Sequence, residues 1–310
     1  MPMLRLAGLD IHHESAGSGP ALVLVHGSWD DLHTWDAVRP HLERAFTVVR
    51  YDRRGHGRSG CPPGQGRISQ DVDDLAEVVS RVAAGPAFLL GHSYGASVAL
   101  LLGARRPELV RALVLHEPPL YGLLAGTPDE RHATDVAARM AAVATLLAEG
   151  EVEEGARRFV EEVAYGPGGW ETLLDDAGRA RFLRHADTWL DQSRDPERLR
   201  PDPQQLAGVR VPVLLTAGGD GLPWYRGAVR AVHAAVPGST VATVAGAAHG
   251  ALWTHPERLA GLAAEHFAGV AAERPVPGPG SPPAGPVAAT GAPADRTRGR
   301  APEPSGGHGG

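Results

Sequence analysis

The residues best suited to chemistry lie in the pentapeptide Gly91-His92-Ser93-Tyr94-Gly95. An apolar run at residues 88–90 precedes it, and a helical pattern at residues 96–104 follows it. Glycines two residues before and two after Ser93 allow a turn that is too tight for side chains at those positions. Such a strand–turn–helix junction presents the serine Oγ to a base and a substrate. The pentapeptide therefore predicts a nucleophilic serine, with a glycine-rich turn that only starts a helix as the alternative.

A serine hydroxyl becomes a good nucleophile only beside a base, and that base needs an orienting acid. His249 follows the last predicted strand in a loop of small residues, and we expect it to be the base. Asp220 ends the preceding strand, so the chain order Ser93, Asp220, His249 is the order typical of this motif. We therefore predict Asp220 as the acid. Glu117, after the strand next to the nucleophile strand, is the alternative.

Acyl transfer also needs donors for the oxyanion of the tetrahedral intermediate. The backbone N–H of Tyr94 begins a helix, where the helix dipole favours negative charge. A second N–H is expected from the loop after the strand at residues 21–25. The tight turn His26-Gly27 lies there, so the N–H of Ser28 is the predicted second donor.

Large apolar residues near these loops predict an apolar pocket with few polar groups. The possible pocket residues are Trp29, Glu117, Trp224 and Leu252. Because the loops carry no basic cluster, a phosphorylated or coenzyme A substrate is not indicated. A small-to-medium, mainly apolar acyl ester is the predicted substrate, and we expect neither a cofactor nor a metal.

Strands that alternate with helices must position these residues. The predicted strands lie at residues 21–25, 46–51, 88–90, 111–115, 211–215 and 240–244, after a short hairpin at residues 4–14. This alternation predicts a mostly parallel sheet with helices on both faces, and ligands bind such sheets at the carboxyl ends of the strands. The six polar residues that follow strand ends are His26, Asp52, Ser93, Glu117, Asp220 and His249. They are therefore expected to share one site.

The chain divides into three kinds of sequence. Residues 1–119 and 207–271 carry the α/β pattern of a core. Residues 120–206 lack strand patterns and contain amphipathic helical segments, which indicates a helical insertion. Residues 272–310 are rich in Pro, Gly, Ala and Ser, and we expect this tail to be disordered because it has too little apolar surface to fold.

Composition excludes several classes of protein. The 310 residues are 43% hydrophobic and 21% charged, as in soluble globular proteins. A net charge of -6 argues against a nucleic-acid partner. A single cysteine, Cys61, rules out an internal disulfide. Neither a signal peptide nor an apolar run long enough to cross a bilayer is evident, so a cytoplasmic enzyme without a membrane partner is expected. The sequence indicates no particular oligomeric state.

Residues 1–271 resemble the α/β-hydrolase superfamily, in its serine esterase and cofactor-free haloperoxidase-like branches. The matching motifs are His26-Gly27, Asp52-Arg53-Arg54-Gly55-His56-Gly57-Arg58-Ser59, Gly91-His92-Ser93-Tyr94-Gly95, Asp220 and Gly246-Ala247-Ala248-His249. The resemblance implies an eight-stranded, mostly parallel, twisted sheet and makes residues 120–206 a cap over the active site. It gives the segment that starts at Asp52 a structural role as a turn. A serine at position 93, rather than an aspartate, argues against epoxide hydrolases and haloalkane dehalogenases.

These features predict a serine hydrolase that cleaves a small-molecule carboxylic ester, or a related acyl substrate, through an acyl-enzyme. A second hypothesis is a C–C bond hydrolase or a hydroxynitrile-lyase-type enzyme that uses the same three side chains as acid and base. A third is a non-catalytic receptor on the same scaffold.

Overall fold

An eight-stranded sheet runs through the computed structural model, which describes residues 3–6, 8–62, 66–83 and 85–273. The strands are β1 (Met3–Leu6), β2 (Leu9–Gly17), β3 (Ala21–Val25), β4 (Thr47–Tyr51), β5 (Ala87–His92), β6 (Val110–His116), β7 (Val213–Gly218) and β8 (Thr240–Val244). Their order is β1-β2-β4-β3-β5-β6-β7-β8. Strands β3 to β8 pair in parallel, whereas β1 and β2 are antiparallel to their neighbours. The predicted mostly parallel, eight-stranded sheet is confirmed.

The central strands are apolar because both of their faces are covered. All six residues of β5 are buried, as are the last four of β3. Continuous apolar runs of this kind are typical of parallel strands that lie between two helical layers. The register pairs Val25 with Gly91 and His92 with His116, so β3, β5 and β6 end at the same edge of the sheet. This edge receives the polar residues that follow each strand.

The helices cover both faces of the sheet. In chain order they are α1 (Arg39–Leu42), α2 (Ile68–Arg81), α3 (Tyr94–Arg105), α4 (Glu130–Ala148), α5 (Val152–Arg158), α6 (Gly169–Thr172), α7 (Asp176–Arg184), α8 (Ala186–Ser193), α9 (Pro203–Ala207), α10 (Pro223–Ala235), α11 (Ala251–Thr254) and α12 (Pro256–Glu273). One apolar core joins α2, α3 and α10 to the sheet, and a second joins α1, α11 and α12 to the opposite face. Among the described residues, no helix is both long and apolar enough to cross a membrane.

A helical segment lies between β6 and β7, as the sequence predicts for residues 120–206. It contains α4 to α9, a π-helical stretch at Phe159–Ala164 and a 3₁₀ turn at Tyr121–Leu124. Its apolar side chains form a third core with Trp29, which belongs to the loop after β3. The segment and the sheet form one compact unit, Met1–Arg274.

Two boundaries differ from the sequence prediction. The apolar spacing of Trp35, Val38 and Leu42 predicts one helix over residues 33–44, but the chain forms a 3₁₀ turn (Leu32–Trp35) and then α1. Pro40 stands at the start of α1, a position that tolerates its missing N–H, so a new helix begins there. At the other end, α12 runs to Glu273, which places the first two residues of the predicted tail in a helix. Residues 274–310 lie outside the described part of the chain.

Candidate active site

Ser93 stands at a sharp junction between β5 and α3. Its backbone has φ 53° and ψ -126°, outside the regions that L-residues ordinarily adopt. A Cβ atom on Gly91 would lie 2.6 Å from the Cα of Ala96, and one on Gly95 would overlap the carbonyl oxygen of Val25. Both glycines are therefore required for this turn, as the sequence predicts. Ser93 remains partly exposed at its apex.

Backbone strain is concentrated at this edge of the sheet. Within the described ranges, the non-glycine residues with positive φ are Trp29 (64°), Ser93 (53°) and Glu117 (49°). Ser93 and Glu117 directly follow β5 and β6, and Trp29 lies in the loop after β3. Such conformations cost about 1–3 kcal/mol each and cluster where a structure holds functional groups in place.

Glu117 holds the imidazole of His249. The Nδ1 atom of His249 lies 2.7 Å from Oε2 of Glu117, and Oε1 accepts a hydrogen bond of 2.8 Å from the N–H of Gly218. Burial alone would raise the pKa of Glu117, but the hydrogen bond from His249 and the nearby His116 outweigh it and bring the pKa below its usual value. The carboxylate is therefore ionised at neutral pH and keeps the His249 proton on Nδ1.

Asp220 does not occupy the predicted position. Its side chain is exposed, whereas its backbone N–H donates to the carbonyl of Ala247. The group at this end of β7 that bonds to Glu117 is instead the N–H of Gly218, the last residue of the strand. The prediction of Asp220 as the acid next to His249 is wrong in geometry, and the alternative acid, Glu117, takes that place.

Aromatic rings fix the plane of the His249 imidazole. The ring of Tyr225 stacks on it with centroids 3.9 Å apart and an interplanar angle of 13°. The ring of Tyr165 lies 5.5 Å away, and His92 lies 4.6 Å away and donates from Nε2 to the carbonyl of His249. Neither Tyr225 nor Tyr165 is predicted as a site residue from its sequence pattern; Tyr225 is marked only by its place next to Trp224.

His116 completes the floor of the site. Its Nδ1 is 3.0 Å from Oγ1 of Thr216, and its carbonyl accepts from the N–H of Ser93 at 2.9 Å. Ligand atoms of His116, Glu117 and His249 lie within 4.8 Å of one another, a spacing that a metal ion could bridge. Because both Glu117 oxygens already accept hydrogen bonds, the arrangement favours a buried hydrogen-bond network over a metal centre.

The loop after β3 lies directly against Ser93. A Cβ atom on Gly27 would stand 3.1 Å from the Cβ of Ser93. In the described part of the chain, the backbone N–H groups of Ser28 and Tyr94 donate to no other residue. Two free donors beside the serine are what the predicted oxyanion hole requires.

Arg53 ties this loop to the sheet. Its guanidinium donates to the carbonyls of His26 and Gly27 at 3.1 and 2.9 Å and pairs with Asp71 at 3.0 Å. Its backbone N–H donates to Nε2 of His26. These bonds fix the loop before any substrate binds, which is the preorganisation that oxyanion stabilisation needs.

The amino-acid sequence matches a known protein family. The sequence model of the alpha/beta hydrolase family matches residues 22–262. The chain belongs to this family. Over 125 residues it is 40% identical to the uncharacterized hydrolase YraK of Bacillus subtilis, a match that covers 40% of this chain and 46% of that protein. The chain thus spans about half the length of this curated relative.

Solved structures show the same fold. An alpha/beta hydrolase from Sphaerobacter thermophilus has a TM-score of 0.69 at 25% identity, over 86% of this chain and 100% of that chain. The enol-lactonase from Burkholderia xenovorans has a TM-score of 0.72 at 19% identity, again over 86% of this chain and 100% of that chain. The predicted superfamily is confirmed.

The predicted pocket residues of this alpha/beta hydrolase lie in different environments. Trp29 is fully buried, and its ring lies 5.2 Å from Phe159 of the helical segment. Trp224 is also buried, and its Nε1 donates to the carbonyl of Val163. Leu252 packs in the core that joins α1, α11 and α12 to the sheet, so its prediction as a pocket residue is wrong. Glu117 forms a hydrogen bond with His249 rather than lining the pocket wall.

The segment that begins at Asp52 is a structural turn of the alpha/beta hydrolase core. Asp52 Oδ1 accepts from the N–H of Leu32 at 2.8 Å, and Oδ2 accepts from the N–H of Arg58 at 2.9 Å. Gly57 has φ 53°, and a Cβ atom there would overlap the Asp52 carboxylate. These contacts agree with the structural role that the resemblance implies.

Three buried histidines connect this turn to the helical segment. The ring centroids of His26 and His56 are 5.1 Å apart, and those of His56 and His185 are 5.0 Å apart. Nε2 of His185 accepts from the N–H of Gly57 at 3.0 Å. Burial lowers the pKa of all three histidines, aided for His26 and His56 by the charge of Arg53. The folded protein therefore favours the neutral form of all three imidazoles.

This contact predicts that the protein loses stability in mild acid. As the pH falls from 7.5 to 5, the unfolded chain binds protons near the usual histidine pKa whereas the folded histidines stay neutral, so unfolding is favoured. We expect His185→Gln, which keeps an acceptor for Gly57, to reduce the acid-induced fall in melting temperature by about 3 °C. His41→Gln, at an exposed histidine outside this cluster, serves as the control and should retain the fall. Equal pH dependence in H185Q and the wild type would contradict the prediction.

Proposed function

We propose that the protein is a serine hydrolase that cleaves carboxylic esters or lactones through an acyl-enzyme on Ser93. One observation carries the proposal: the 2.7 Å contact between His249 and Glu117 lies at the sheet edge where Ser93 stands on its strained junction. His116 is a neighbour of both Ser93 and His249. Its backbone carbonyl accepts from the N–H of Ser93, and its ring centroid lies 6.3 Å from that of His249.

In the first half-reaction, Oγ of Ser93 attacks the carbonyl carbon while Nε2 of His249 takes the hydroxyl proton. Glu117 stabilises the imidazolium that forms, and the N–H groups of Ser28 and Tyr94 bind the oxyanion. The ester C–O bond then breaks, and His249 returns the proton to the departing alcohol oxygen.

In the second half-reaction, water takes the place of the alcohol. His249 removes a proton from this water as its oxygen attacks the acyl carbon, and a second tetrahedral intermediate forms. The bond between the acyl carbon and Oγ then breaks, and His249 reprotonates Ser93. The products are a carboxylic acid and an alcohol, or a single hydroxy acid when the substrate is a lactone.

The surroundings of His249 support a mainly apolar acyl group. Tyr225 and Tyr165 flank the imidazole, and Trp29 comes directly after Ser28 in the loop that follows β3. Apolar walls with a few placed polar groups are typical of small-molecule sites. The name of the enol-lactonase neighbour describes a cyclic ester as its substrate, which supports the inclusion of lactones.

A phosphonate probe combined with an ester panel tests the proposal. We expect turnover of p-nitrophenyl acetate, butyrate and octanoate, and stoichiometric labelling by a fluorophosphonate that abolishes this turnover. Peptide mass mapping should place the adduct on Ser93. An adduct on another serine would contradict the assignment.

The alternatives predict other results. If the panel is not hydrolysed while a cyanohydrin or a diketone is cleaved, the same side chains act mainly as acid and base. If nothing is turned over but a small molecule raises the melting temperature, the receptor hypothesis is favoured.

A further inference from the structure

Arg198 connects the helical segment to the loop after β3 that carries Ser28. It follows α8 and is 96% buried, with 4% of its surface exposed. Its Nη2 donates to Oγ of Ser28 at 3.0 Å, and its guanidinium carbon lies 5.3 Å from the ring centroids of both Tyr94 and Trp189. The cation therefore lies beside the two residues whose N–H groups form the proposed oxyanion hole.

Arg198 makes no direct ion pair with a described carboxylate, although the charge of Asp195 is near enough to raise its pKa. Among the described residues, no carboxylate oxygen lies within 4.0 Å of its guanidinium nitrogens, and its buried Nε and Nη1 have no acceptor. Burial lowers its pKa to about 10, so the side chain is still charged at neutral pH. An isolated buried charge is costly, and native structures normally pair it.

Arg53 is a structural arginine that contacts the same Tyr94 ring, and it allows a direct comparison with Arg198. Its guanidinium lies 4.6 Å from the centroid of the same Tyr94 ring and is fully buried. Unlike Arg198, it pairs with Asp71 and donates to two backbone carbonyls. A position over the Tyr94 ring therefore does not by itself leave a guanidinium without acceptors. The N–H groups of Arg198 that lack an acceptor are specific to this residue.

The unused donors match a planar monoanion. Guanidinium groups bind carboxylates through two parallel N–H···O bonds, and one unpaired cation balances one negative charge. The indole N–H groups of Trp29 and Trp189, whose rings lie 5.3 Å apart, are also buried without an acceptor among the described residues. The region therefore has more donors than acceptors, as a site for an anion requires.

We propose that Arg198 binds a carboxylate carried by the substrate, so that the enzyme acts on half-esters of dicarboxylic acids or on carboxylate-bearing lactones. This inference rests on the proposed hydrolase function. Because Ser28 supplies both the Oγ that Arg198 contacts and the proposed oxyanion N–H, the carboxylate lies only a few bonds from the scissile carbonyl. Arg198 is then a specificity-determining residue.

The test compares two methyl esters of nearly equal shape: monomethyl glutarate, which is an anion, and the methyl ester of glutaric acid monoamide, which is neutral. Proton release gives kcat and KM for each. We expect the wild type to prefer the anion by about 30-fold in kcat/KM, mainly through KM. In Arg198→Gln this preference should fall to about one. Arg194→Gln removes the same charge from an exposed position of the same segment and should keep the preference.

Stability measurements separate a binding role from a structural one. Because replacing an unpaired buried charge by an apolar side chain is often neutral or stabilising, Arg198→Met should keep or raise the melting temperature of the ligand-free protein. A fall of more than about 5 °C in both R198M and R198Q would identify a structural cation and overturn the inference.

The failure of this inference differs from the failure of the proposed function. If the wild type hydrolyses both methyl esters equally well, the carboxylate site is refuted and the ester hydrolase stands. If no ester is hydrolysed, the melting temperature is measured with added glutarate. A rise in the wild type but not in R198Q supports the anion site. No rise in either protein refutes it.

Discussion

Replacing Ser93 with alanine is expected to lower kcat for p-nitrophenyl butyrate by about 10⁶-fold. The variant keeps the proposed oxyanion donors at Ser28 and Tyr94 and the His249–Glu117 pair, so what remains measures transition-state binding without a nucleophile. Alanine lacks only the Oγ atom, and the backbone at φ 53° is as strained with serine as with alanine. The rate comparison should therefore reflect chemistry rather than misfolding.

A matched serine controls this experiment. Ser97 lies one turn further along α3, and its buried Oγ has no hydrogen-bond partner among the described residues. Ser97→Ala removes an Oγ atom from the first turn of α3, four residues after Ser93, and should retain the activity of the wild type. Loss of activity in both variants would indicate damage to α3. If Ser93→Ala kept more than about 1% of the activity, the acyl-enzyme would be refuted.

The sequence was sufficient to predict the strand–turn–helix junction at Ser93, because the geometry of this junction is encoded locally. Gly91 and Gly95 are needed within four residues of each other, and an apolar strand and a helix flank them. The parallel sheet was equally predictable, since continuous apolar runs alternate with amphipathic helices. The loop that brings His249 to this edge follows β8, the last strand.

The carboxylate that contacts His249 was not predictable in the same way. Glu117 and Asp220 both follow parallel strands that end at one edge, so pattern and chain order leave both available. Two backbone details decide between them: the positive φ of Glu117 and the N–H of Gly218, which bonds to its side chain. Neither detail has a signature in the periodicity of the sequence.

The contacts that the helical segment makes with the site could not be predicted from the sequence either. Arg198 meets Ser28 across 170 positions, and Tyr225 stacks on a histidine that comes after the next strand. Amphipathic periodicity predicts helical segments within residues 120–206, but the way the helices pack determines which side chain reaches the loop after β3. A basic residue in a helical segment is most simply solvated, so nothing marked Arg198.

Glu117→Gln is expected to lower kcat by about 10³–10⁴-fold, because the variant supports the wrong tautomer of His249. The N–H of Gly218 needs an acceptor and will select the amide oxygen of the glutamine. The amide NH₂ group then faces Nδ1 of His249, where the carboxylate oxygen stands in the wild type. An NH₂ group there requires an unprotonated Nδ1, which places the proton on Nε2 and removes the base.

Asp220→Asn provides the matched comparison, since its side chain is exposed and the same atom exchange should change kcat by less than about twofold. Steady-state rates of both variants on p-nitrophenyl butyrate check this contrast, and melting temperatures show whether Glu117→Gln folds. If Glu117 acts only through His249 and Ser93, the double variant S93A/E117Q should be no slower than S93A, because members of one catalytic unit are not additive. An active E117Q together with an inactive D220N would instead return the role of the acid to Asp220.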